Sequence, residues 1–204
     1  MPLADRILFL KNFARRFPHT GAITASSRFL ARAITDHVRP NHGPVKILEV
    51  GAGTGAFTRE LVKLLRPGDQ LVIYEINKDF ADVLRRRFGH NPQVQIVNRP
   101  IETIERKPTF DFIVAGVPLN NFPPELVREI LETLRGVAKP GATASFFEYA
   151  FFHRLVKPFL SKAEQDRLQR VTAVVGEFLR RHHIRSRFVL FNVPPAHARQ
   201  LKFH

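Results

Sequence analysis

Three glycines in the segment ILEVGAGTGAFT (residues 47–58) have the spacing of a ligand-binding loop. Gly51, Gly53 and Gly55 follow an apolar run and directly precede an amphipathic stretch. Glycine lets the backbone turn tightly and lets a ligand approach without a Cβ in the way, and the start of a helix adds free backbone N–H groups. The glycines alone admit a dinucleotide or S-adenosylmethionine, because Gly51-x-Gly53-x-x-Ala56 also fits the dinucleotide fingerprint.

Two acidic residues favour S-adenosylmethionine over a dinucleotide. Glu49 lies two residues before the first glycine, and Glu75 ends the next predicted strand. A carboxylate repels a pyrophosphate, whereas it attracts the sulfonium and ammonium groups of S-adenosylmethionine. Glu75 can accept hydrogen bonds from both ribose hydroxyls, a role that the two ligand classes share. The sequence therefore predicts an S-adenosylmethionine site that contains both acids.

Alternating strands and helices must position this loop. Apolar runs predict five strands, which helical patterns separate, at residues 45–50, 71–75, 94–98, 110–116 and 142–149. The helices between and after them are predicted at residues 57–65, 79–88, 123–137 and 161–182, the last with a capping box at Ser161 and Glu164. The alternation predicts a mostly parallel sheet with helices on both faces. Two further strands, 187–193 and 197–203, complete a seven-stranded α/β fold as a C-terminal antiparallel hairpin at the sheet edge.

The N-terminal 40 residues are predicted to form a unit of their own, ahead of a catalytic domain over residues 41–204. Residues 3–17 have the pattern of an amphipathic helix, with Leu and Phe on one side and Arg and Lys on the other. Such a helix suits a membrane interface or the face of the sheet, and the pattern leaves both open. A second helix is predicted from residues 24–27 to about His37, with Ser26 or Ser27 as its N-cap.

Composition excludes several kinds of site and indicates a polyanionic partner. The 204 residues include no cysteine, which excludes disulfides, thiolate zinc sites and cysteine nucleophiles. No apolar run is long enough to predict a membrane-spanning helix. His182 and His183 have no partner at metal-ligand spacing, so they are interpreted as the solvated end of a helix and no metal is expected. The net charge of +14 attracts RNA, DNA or an anionic membrane.

The segment from Glu49 to Gly55, followed by Glu75, resembles motifs I and II of class I S-adenosylmethionine-dependent methyltransferases. The resemblance implies a Rossmann-like methyltransferase fold. Many members end their third strand in Asp, which contacts the adenine N6, whereas this chain has Asn98, which is expected to accept that bond while Ile101 packs on the adenine. The implied cofactor-binding residues are Glu49, Gly51, Ala52, Gly53, Thr54, Gly55, Glu75, Ile76, Asn98, Arg99, Pro100, Ile101, Gly116, Val117 and Pro118.

The segment GVPLNNFP (residues 116–123) indicates the acceptor. Ribosomal RNA adenine dimethyltransferases carry Asn or Asp here, then Pro and an aromatic ring that stacks on the flipped base. This chain has Gly116, Pro118 and Leu119 at the matching positions, which counts against a base as substrate.

The same segment resembles the bacterial phospholipid N-methyltransferases, as do residues 17–27, 146–149 and 192–196. This second resemblance implies methylation of phosphatidylethanolamine towards phosphatidylcholine. Ornithine-lipid N-methylation and methylation of ribosomal RNA adenine at N6 remain as alternatives.

Three residues are candidates for contact with the acceptor amine. Tyr149 ends a central strand, where sites of open α/β sheets gather, and its ring could stabilise a methylated ammonium by cation–π attraction. Glu148 alternates with it, so only one of the two is expected to face the acceptor unless the strand has already ended. His153 is a candidate base or phosphate ligand, or a surface residue.

A lipid substrate implies a membrane partner and a cellular location. We expect the amphipathic N-terminal helix to bind an anionic membrane surface that carries the lipid substrate, with no nucleic acid as partner. The protein is then expected in the cytoplasm, peripherally associated with the inner face of the membrane.

Overall fold

The computed structural model describes residues 27–39, 43–150 and 160–204, so the predicted helix over residues 3–17 and the candidate His153 lie outside the described residues. Seven strands form one sheet in the order β3-β2-β1-β4-β5-β7-β6. The strands are β1 (Lys46–Val50), β2 (Gln70–Tyr74), β3 (Val94–Val97), β4 (Phe110–Ala115), β5 (Ala138–Tyr149), β6 (His183–Val189) and β7 (Ala196–Lys202). The helices are α1 (Arg28–Thr35), α2 (Ala56–Leu64), α3 (Lys78–Phe88), α4 (Pro124–Val137) and α5 (Lys162–His182). None of these helices is long and apolar enough to cross a bilayer.

The register of the sheet brings the ends of the central strands to one edge. Strands β1 to β5 pair in parallel, with Val50 opposite both Tyr74 and Ala115. Strand β7 runs antiparallel to β5 and β6, so that Ala196 lies opposite Tyr149 and Val189. The carboxyl ends of the parallel strands and the β6–β7 turn therefore share an edge, and the predicted fold with its antiparallel C-terminal pair is confirmed.

The two faces of the sheet are covered by different helices. Alternate residues of each strand point to opposite faces, so Leu48 packs with α4 and α5, whereas Ile47 packs with α1 and α2. Phe146 lies in the first of these two cores and Phe147 in the second. The sheet is thus buried on both sides, which explains why its central strands are nearly continuous apolar runs.

Side-chain caps fix where two helices begin. The Ser27 hydroxyl accepts a hydrogen bond from the Leu30 N–H at 3.2 Å at the start of α1. At the start of α5 the Ser161 hydroxyl accepts from the Glu164 N–H, and the Glu164 carboxylate accepts from the Ser161 N–H. Both predicted caps are confirmed, because Ser accepts from the N–H groups that the first turn leaves unpaired.

Strand β6 differs from its prediction. It spans His183–Val189, whereas the apolar residues 187–193 suggested a strand starting four residues later. All of its residues except Val189 are exposed, because it is an edge strand with one neighbour. The apolar residues Leu190, Phe191 and Val193 fall in the turn after it and are exposed. The predicted bounds were wrong because most of the strand is polar, whereas the turn after it is apolar.

Candidate active site

The loop between β1 and α2 has a backbone conformation that requires glycine. Gly51, Gly53 and Gly55 have φ angles of +70°, +55° and +90°. Other residues rarely adopt such angles. The Gly51 N–H donates to the Tyr74 carbonyl at 2.8 Å, which ties the loop to β2. A Cβ at Gly53 would meet no heavy atom within 4 Å, so the loop borders open space at its centre.

The loop after β4 lies directly against this glycine loop. The Gly116 N–H donates to the Val50 carbonyl at 2.7 Å. A Cβ at Gly116 would lie 2.6 Å from the Gly51 carbonyl oxygen, and a Cβ at Gly51 would lie 3.1 Å from the Val117 side chain. Any larger residue at Gly116 would push the loops apart, so this glycine is required by close approach.

Glu75 joins the glycine loop to the start of α3. Its side chain is buried, with Oε2 accepting from the Gly53 N–H and Oε1 from the Asn77 N–H, each at 2.8 Å. Burial raises the pKa of the carboxyl, while the backbone N–H groups that it accepts from lower it. The carboxylate therefore lies beside the open space at Gly53, as a ribose contact requires.

Glu49 is a fully buried carboxyl with one oxygen that lacks a partner. The Thr58 hydroxyl on α2 donates to Oε2 at 2.7 Å, whereas Oε1 has no hydrogen-bond partner within the described ranges. Burial raises the pKa of Glu49 to about 8, with Thr58 lowering it and Glu75 raising it further. An unpaired buried acceptor is costly, and the ammonium of S-adenosylmethionine has the charge and the donors to satisfy it. The residues present therefore fit this cofactor.

The segment after β3 supplies a polar group and a core residue. Asn98 Nδ2 donates to the carbonyls of Glu75 at 2.7 Å and Ile76 at 3.1 Å. Only the nitrogen of the amide can donate, so Oδ1 remains to accept a bond such as the predicted one from an adenine amine. Ile101, in contrast, is 5% exposed and lies in the core on the α4 and α5 face, so protein already covers most of its surface.

The remaining predicted cofactor residues surround the same loops. Ala52 is buried, and the carbonyl of the exposed Thr54 accepts from Arg87 of α3 at 2.8 Å. Their neighbours are Ile76, Val117 and Pro118, which are half-buried, Arg99, which is exposed, and Pro100, which precedes a 3-10 turn. Contacts of all these residues with the cofactor stay predictions.

A pocket opens at the carboxyl ends of β4 and β5. Its lining consists of Pro118, Leu119, Asn120, Asn121, Phe147, Glu148 and Tyr149. The 3-10 turn Leu119–Asn121 brings the two asparagines to the pocket, and Arg167 of α5 donates to the carbonyls of Asn120 and Phe122 at 3.0 Å each. Amide, carboxylate and hydroxyl oxygens can all accept hydrogen bonds from an amine.

Glu148 and Tyr149 both line this pocket although their side chains lie on opposite faces of the sheet. Glu148 Oε2 accepts from Arg199 Nε at 2.9 Å. The Tyr149 ring lies against the Phe147 ring, with centroids 5.2 Å apart. The sequence predicted that only one of the two residues would face the acceptor unless the strand had already ended. The strand does end at Tyr149, and both residues line the pocket. Burial raises the pKa of Tyr149, so its hydroxyl keeps its proton at neutral pH.

Several residues of the site were not predicted. Asn120 and Asn121 stand in the segment GVPLNNFP, and their polarity between apolar neighbours was a usable signal. Thr58 and Arg199 had no such signal, because their partners Glu49 and Glu148 are 9 and 51 residues away in sequence. Within the described ranges no three His, Asp or Glu side chains are grouped as metal ligands.

The central part of the chain is similar to a known family. Residues 47–141 match the family model described as "Methyltransferase domain". These residues run from β1 to the start of β5 and include the glycine loop, Glu75 and the loop after β4. The match covers the cofactor edge of the sheet.

Individual relatives extend the comparison unequally. The chain is 27% identical over 147 residues to an ornithine lipid N-methyltransferase of Singulisphaera acidiphila, covering 69% of this chain and 76% of that protein. It is 41% identical over 83 residues to an rRNA methyltransferase of Streptomyces thermotolerans, but this covers 40% of the chain and only 26% of that protein.

A solved structure supports the fold. The N-methyltransferase NodS of Bradyrhizobium japonicum WM9, in complex with S-adenosyl-L-homocysteine, matches with a TM-score of 0.62 and 16% identity over 86% of this chain and 84% of that chain. The matched methyltransferase domain, the glycine loop, Glu75 and the unpaired oxygen of Glu49 together support S-adenosylmethionine as the cofactor.

Proposed function

We propose that the chain is a class I S-adenosylmethionine-dependent methyltransferase and that it methylates the amino head group of a membrane lipid, phosphatidylethanolamine, towards phosphatidylcholine. The observation that carries the proposal is the pocket beside the loop after β4. Its lining includes Asn120, Asn121, Glu148 and Tyr149, whose side chains all carry an oxygen that can accept a hydrogen bond from an amine. The Singulisphaera relative, which matches over more than two thirds of the chain, is named as a lipid N-methyltransferase, and this supports a lipid substrate.

The pocket residues would orient the amine and help it to lose a proton. S-adenosylmethionine, when bound, supplies an electrophilic methyl group on a sulfonium that is a good leaving group. A lipid amine is mostly protonated at neutral pH, and an ammonium cannot act as a nucleophile. The Asn120 and Asn121 amide oxygens can hold N–H groups, while the proton leaves to water or to the Glu148 carboxylate. Positioning and exclusion of water then provide most of the acceleration.

Tyr149 would act through its neutral hydroxyl and its ring. Because burial raises its pKa, the hydroxyl does not serve as a base near neutral pH. It can accept a hydrogen bond from the amine, and the ring can stabilise the charge of the methylated ammonium. Arg199 holds Glu148 from β7, which keeps the carboxylate at the pocket wall.

Ornithine lipid is the alternative substrate of the same class. It also presents a primary amine at a membrane surface, and the name of the Singulisphaera relative favours it. The pocket lining holds an amine in the same way for both lipids, so the head groups must be separated by experiment.

RNA is the alternative of a different class, and it is favoured by the net charge of +14. A base would need an aromatic ring to stack on. In the segment GVPLNNFP, however, Leu119 is 4% and Phe122 is 3% exposed, and both side chains lie in the core. The Streptomyces relative matches over only 40% of this chain and 26% of its own length. These observations favour the lipid.

The proposal includes a membrane partner and a location. We expect the basic amphipathic segment at residues 3–17 to bind an anionic membrane, and the protein to work at the inner face of the cytoplasmic membrane. Each basic residue near an anionic leaflet adds about 1 kcal/mol of binding energy.

The test is methylation of defined acceptors by the purified full chain with isotopically labelled S-adenosylmethionine. Phosphatidylethanolamine, ornithine lipid and ribosomal RNA are offered separately, and the products are identified by mass spectrometry. Methylated phosphatidylethanolamine is expected. Label in ornithine lipid alone would move the substrate to the alternative lipid, and label in RNA alone would overturn the proposal.

A further inference from the structure

The turn between β6 and β7 exposes an unusual group of apolar side chains. Leu190, Phe191 and Val193, here called the apolar tip, are 61%, 71% and 81% exposed. Exposed turns normally carry small polar residues, Gly or Pro. Three large apolar side chains on one turn therefore indicate a surface that is covered in the working protein.

The turn itself is firmly held, so the exposure of the apolar tip is a property of the fold. Asn192 is 5% exposed, and its Oδ1 accepts from the Ser27 N–H at 3.0 Å. Its Nδ2 donates to the Pro194 carbonyl at 2.7 Å. The Ala150 N–H donates to the Pro195 carbonyl at 2.7 Å, which ties the turn to the end of β5. The polar side chain points inward while its apolar neighbours point out.

Helix α1 enlarges the apolar surface and adds charge to it. The Phe29 ring is 40% exposed and lies 5.4 Å from the Phe191 ring, measured between centroids. The Arg28 guanidinium lies over the Phe29 ring at 4.9 Å. Arg32, one turn further along α1, is exposed, as is Arg187 on β6. Arg28 therefore borders the apolar surface, and Arg32 and Arg187 are exposed on the helix and the strand next to it.

The sequence around the apolar tip contains bases and no acids. Residues 178–204 contain no Asp or Glu, whereas they contain these arginines and lysine: Arg180, Arg181, Arg185, Arg187, Arg199 and Lys202. Residues 1–26 are basic as well, with Asp5 as their one acid. Charge complementarity therefore argues against the chain's own N-terminal residues or a second copy as the cover, and it favours an anionic partner.

The apolar tip lies at the same edge of the sheet as the acceptor pocket. Tyr149, which lines the pocket, pairs with Ala196 directly after the turn. A flat partner that covered the apolar tip would thus lie at the same edge of the sheet as the pocket.

We propose that the apolar tip inserts into the interface of an anionic lipid bilayer, with Phe29 beside it and Arg28, Arg32 and Arg187 at the lipid phosphates. This proposal rests on the proposed function, because it places the pocket at the surface that carries the lipid amine. Apolar side chains enter the boundary between head groups and acyl chains, and arginines reach the phosphates around them.

The first test uses the absence of tryptophan from the chain. Phe191→Trp places a single fluorophore in the apolar tip of the full-length protein. With phosphatidylglycerol–phosphatidylcholine vesicles, its emission is expected to shift to the blue and to be quenched by brominated lipid. Ile184→Trp is the matched control, because Ile184 is 53% exposed at the far end of the same hairpin, and its emission is expected to stay unchanged.

Two outcomes of the fluorescence test would overturn the proposal. Vesicles that bind the protein without changing the emission of Phe191→Trp would place the contact elsewhere. Emission that is already blue before vesicles are added would mean that the chain itself, or a second copy, covers the apolar tip.

The second test separates docking from catalysis. The double variant Leu190→Ser, Phe191→Ser is expected to bind the vesicles at least about tenfold more weakly, since two apolar side chains no longer enter the interface. Ile184→Ser is expected to bind like the wild type, and S-adenosylhomocysteine affinity by calorimetry verifies that all variants are folded. Wild-type vesicle affinity in the double variant would overturn the docking proposal.

Soluble substrate distinguishes this failure from a failure of the proposed function. Short-chain phosphatidylethanolamine that stays monomeric is expected to be methylated equally by the wild type and the double variant, whereas vesicle substrate is expected to be methylated more slowly by the variant. Absence of methylation of either lipid by the wild type would overturn the proposed function, whatever the vesicle affinities are.

Discussion

Tyr149 and Tyr74, the two tyrosines of the chain, lie on opposite faces of the sheet, and of the two only Tyr149 lines the pocket. Tyr149→Phe is expected to lower turnover by about fivefold, because one hydrogen bond of about 1 kcal/mol to the amine is lost. S-adenosylhomocysteine affinity, measured by calorimetry, is expected to stay unchanged. Tyr74→Phe is the control with wild-type turnover, and equal losses of turnover and affinity in Tyr149→Phe would indicate a structural role.

Glu75 couples cofactor binding to the shape of the glycine loop. Glu75→Ala removes both bonds that its carboxylate accepts, from Gly53 and Asn77, as well as the candidate ribose contact. Since bonds to a charged group contribute about 1.5–3 kcal/mol each, S-adenosylhomocysteine affinity is expected to fall by about 100-fold or more. Calorimetry measures this directly, and unchanged affinity would remove Glu75 from the site.

Glu49 should make the stability of the ligand-free protein depend on pH. Burial raises its pKa from 4.5 to about 8. The folded protein thus holds the proton more tightly than the unfolded chain. Its contribution to stability is complete below the unfolded pKa and is lost as the pH rises through about 8. Urea unfolding is expected to show a decline of at most about 1.4 kcal/mol per pH unit across this window.

The control for this pH dependence is Glu49→Gln, which keeps the shape and cannot ionise. Its unfolding free energy is expected to vary less with pH over the same window. S-adenosylmethionine should bind more tightly to the wild type as the pH rises towards 8, because its ammonium favours the ionised carboxylate. Parallel pH profiles of the wild type and Glu49→Gln would contradict the assignment.

Sequence spacing was enough to predict that the glycine loop, Glu49 and Glu75 lie together, since all of them are at or near strand ends whose positions follow from the local sequence pattern. It could not predict that the Glu148 carboxylate is held by Arg199, because that contact requires the antiparallel pairing of β5 and β7. Nor did it predict the place of His182, interpreted as solvated, whose ring lies 4.8 Å from the Phe178 ring and 5.2 Å from the Phe203 ring. Tertiary packing decided these positions.

At the scale of elements, the start of α2 depends on the glycine that caps it. Gly55 has a φ of +90°, and a Cβ there would lie 2.7 Å from the Phe88 ring of α3. Gly55→Ala is expected to destabilise the protein by about 2–5 kcal/mol, the sum of left-handed strain and overpacking. Urea unfolding measures the loss.

A matched variant separates the two causes. Gly141 has a φ of +81°, but a Cβ there would meet nothing within 4 Å. Gly141→Ala is therefore expected to cost only the backbone strain, about 1–2 kcal/mol. Equal losses in the two variants would show that Phe88 moves aside at no cost and that α2 and α3 are less tightly packed here.

The same scale shows which elements can be predicted from sequence. Strands β1, β2 and β4, which lie between two neighbours, fall within about two residues of their predicted bounds, because strands covered on both faces leave nearly continuous apolar runs. Strand β6 was displaced by four residues, since an exposed edge strand has no such run. The spacing of apolar residues in a sequence indicates which residues are buried. Where a strand is exposed or a turn is apolar, a prediction made from that spacing therefore misplaces the strand.

At the scale of the whole molecule, the net charge of +14 should govern membrane affinity. Binding to phosphatidylglycerol-containing vesicles is expected to weaken by at least about tenfold between about 0.05 M and about 0.5 M NaCl, as the screening length falls. Co-sedimentation measures this, with pure phosphatidylcholine vesicles as the control that binds weakly throughout. A vesicle affinity that does not change with NaCl concentration would mean that the apolar tip alone provides the binding.

The position of β7 between β5 and β6 has a consequence for synthesis. The ribosome makes β6 before β7, yet in the described sheet β6 pairs with β7 alone. Until residues 196–202 emerge, β6 has no neighbour and the outer edge of β5 stays open. The nascent chain thus carries unpaired strand edges next to an apolar turn, the kind of surface that invites aggregation. Completion of the sheet therefore waits for β7, which joins β6 to β5.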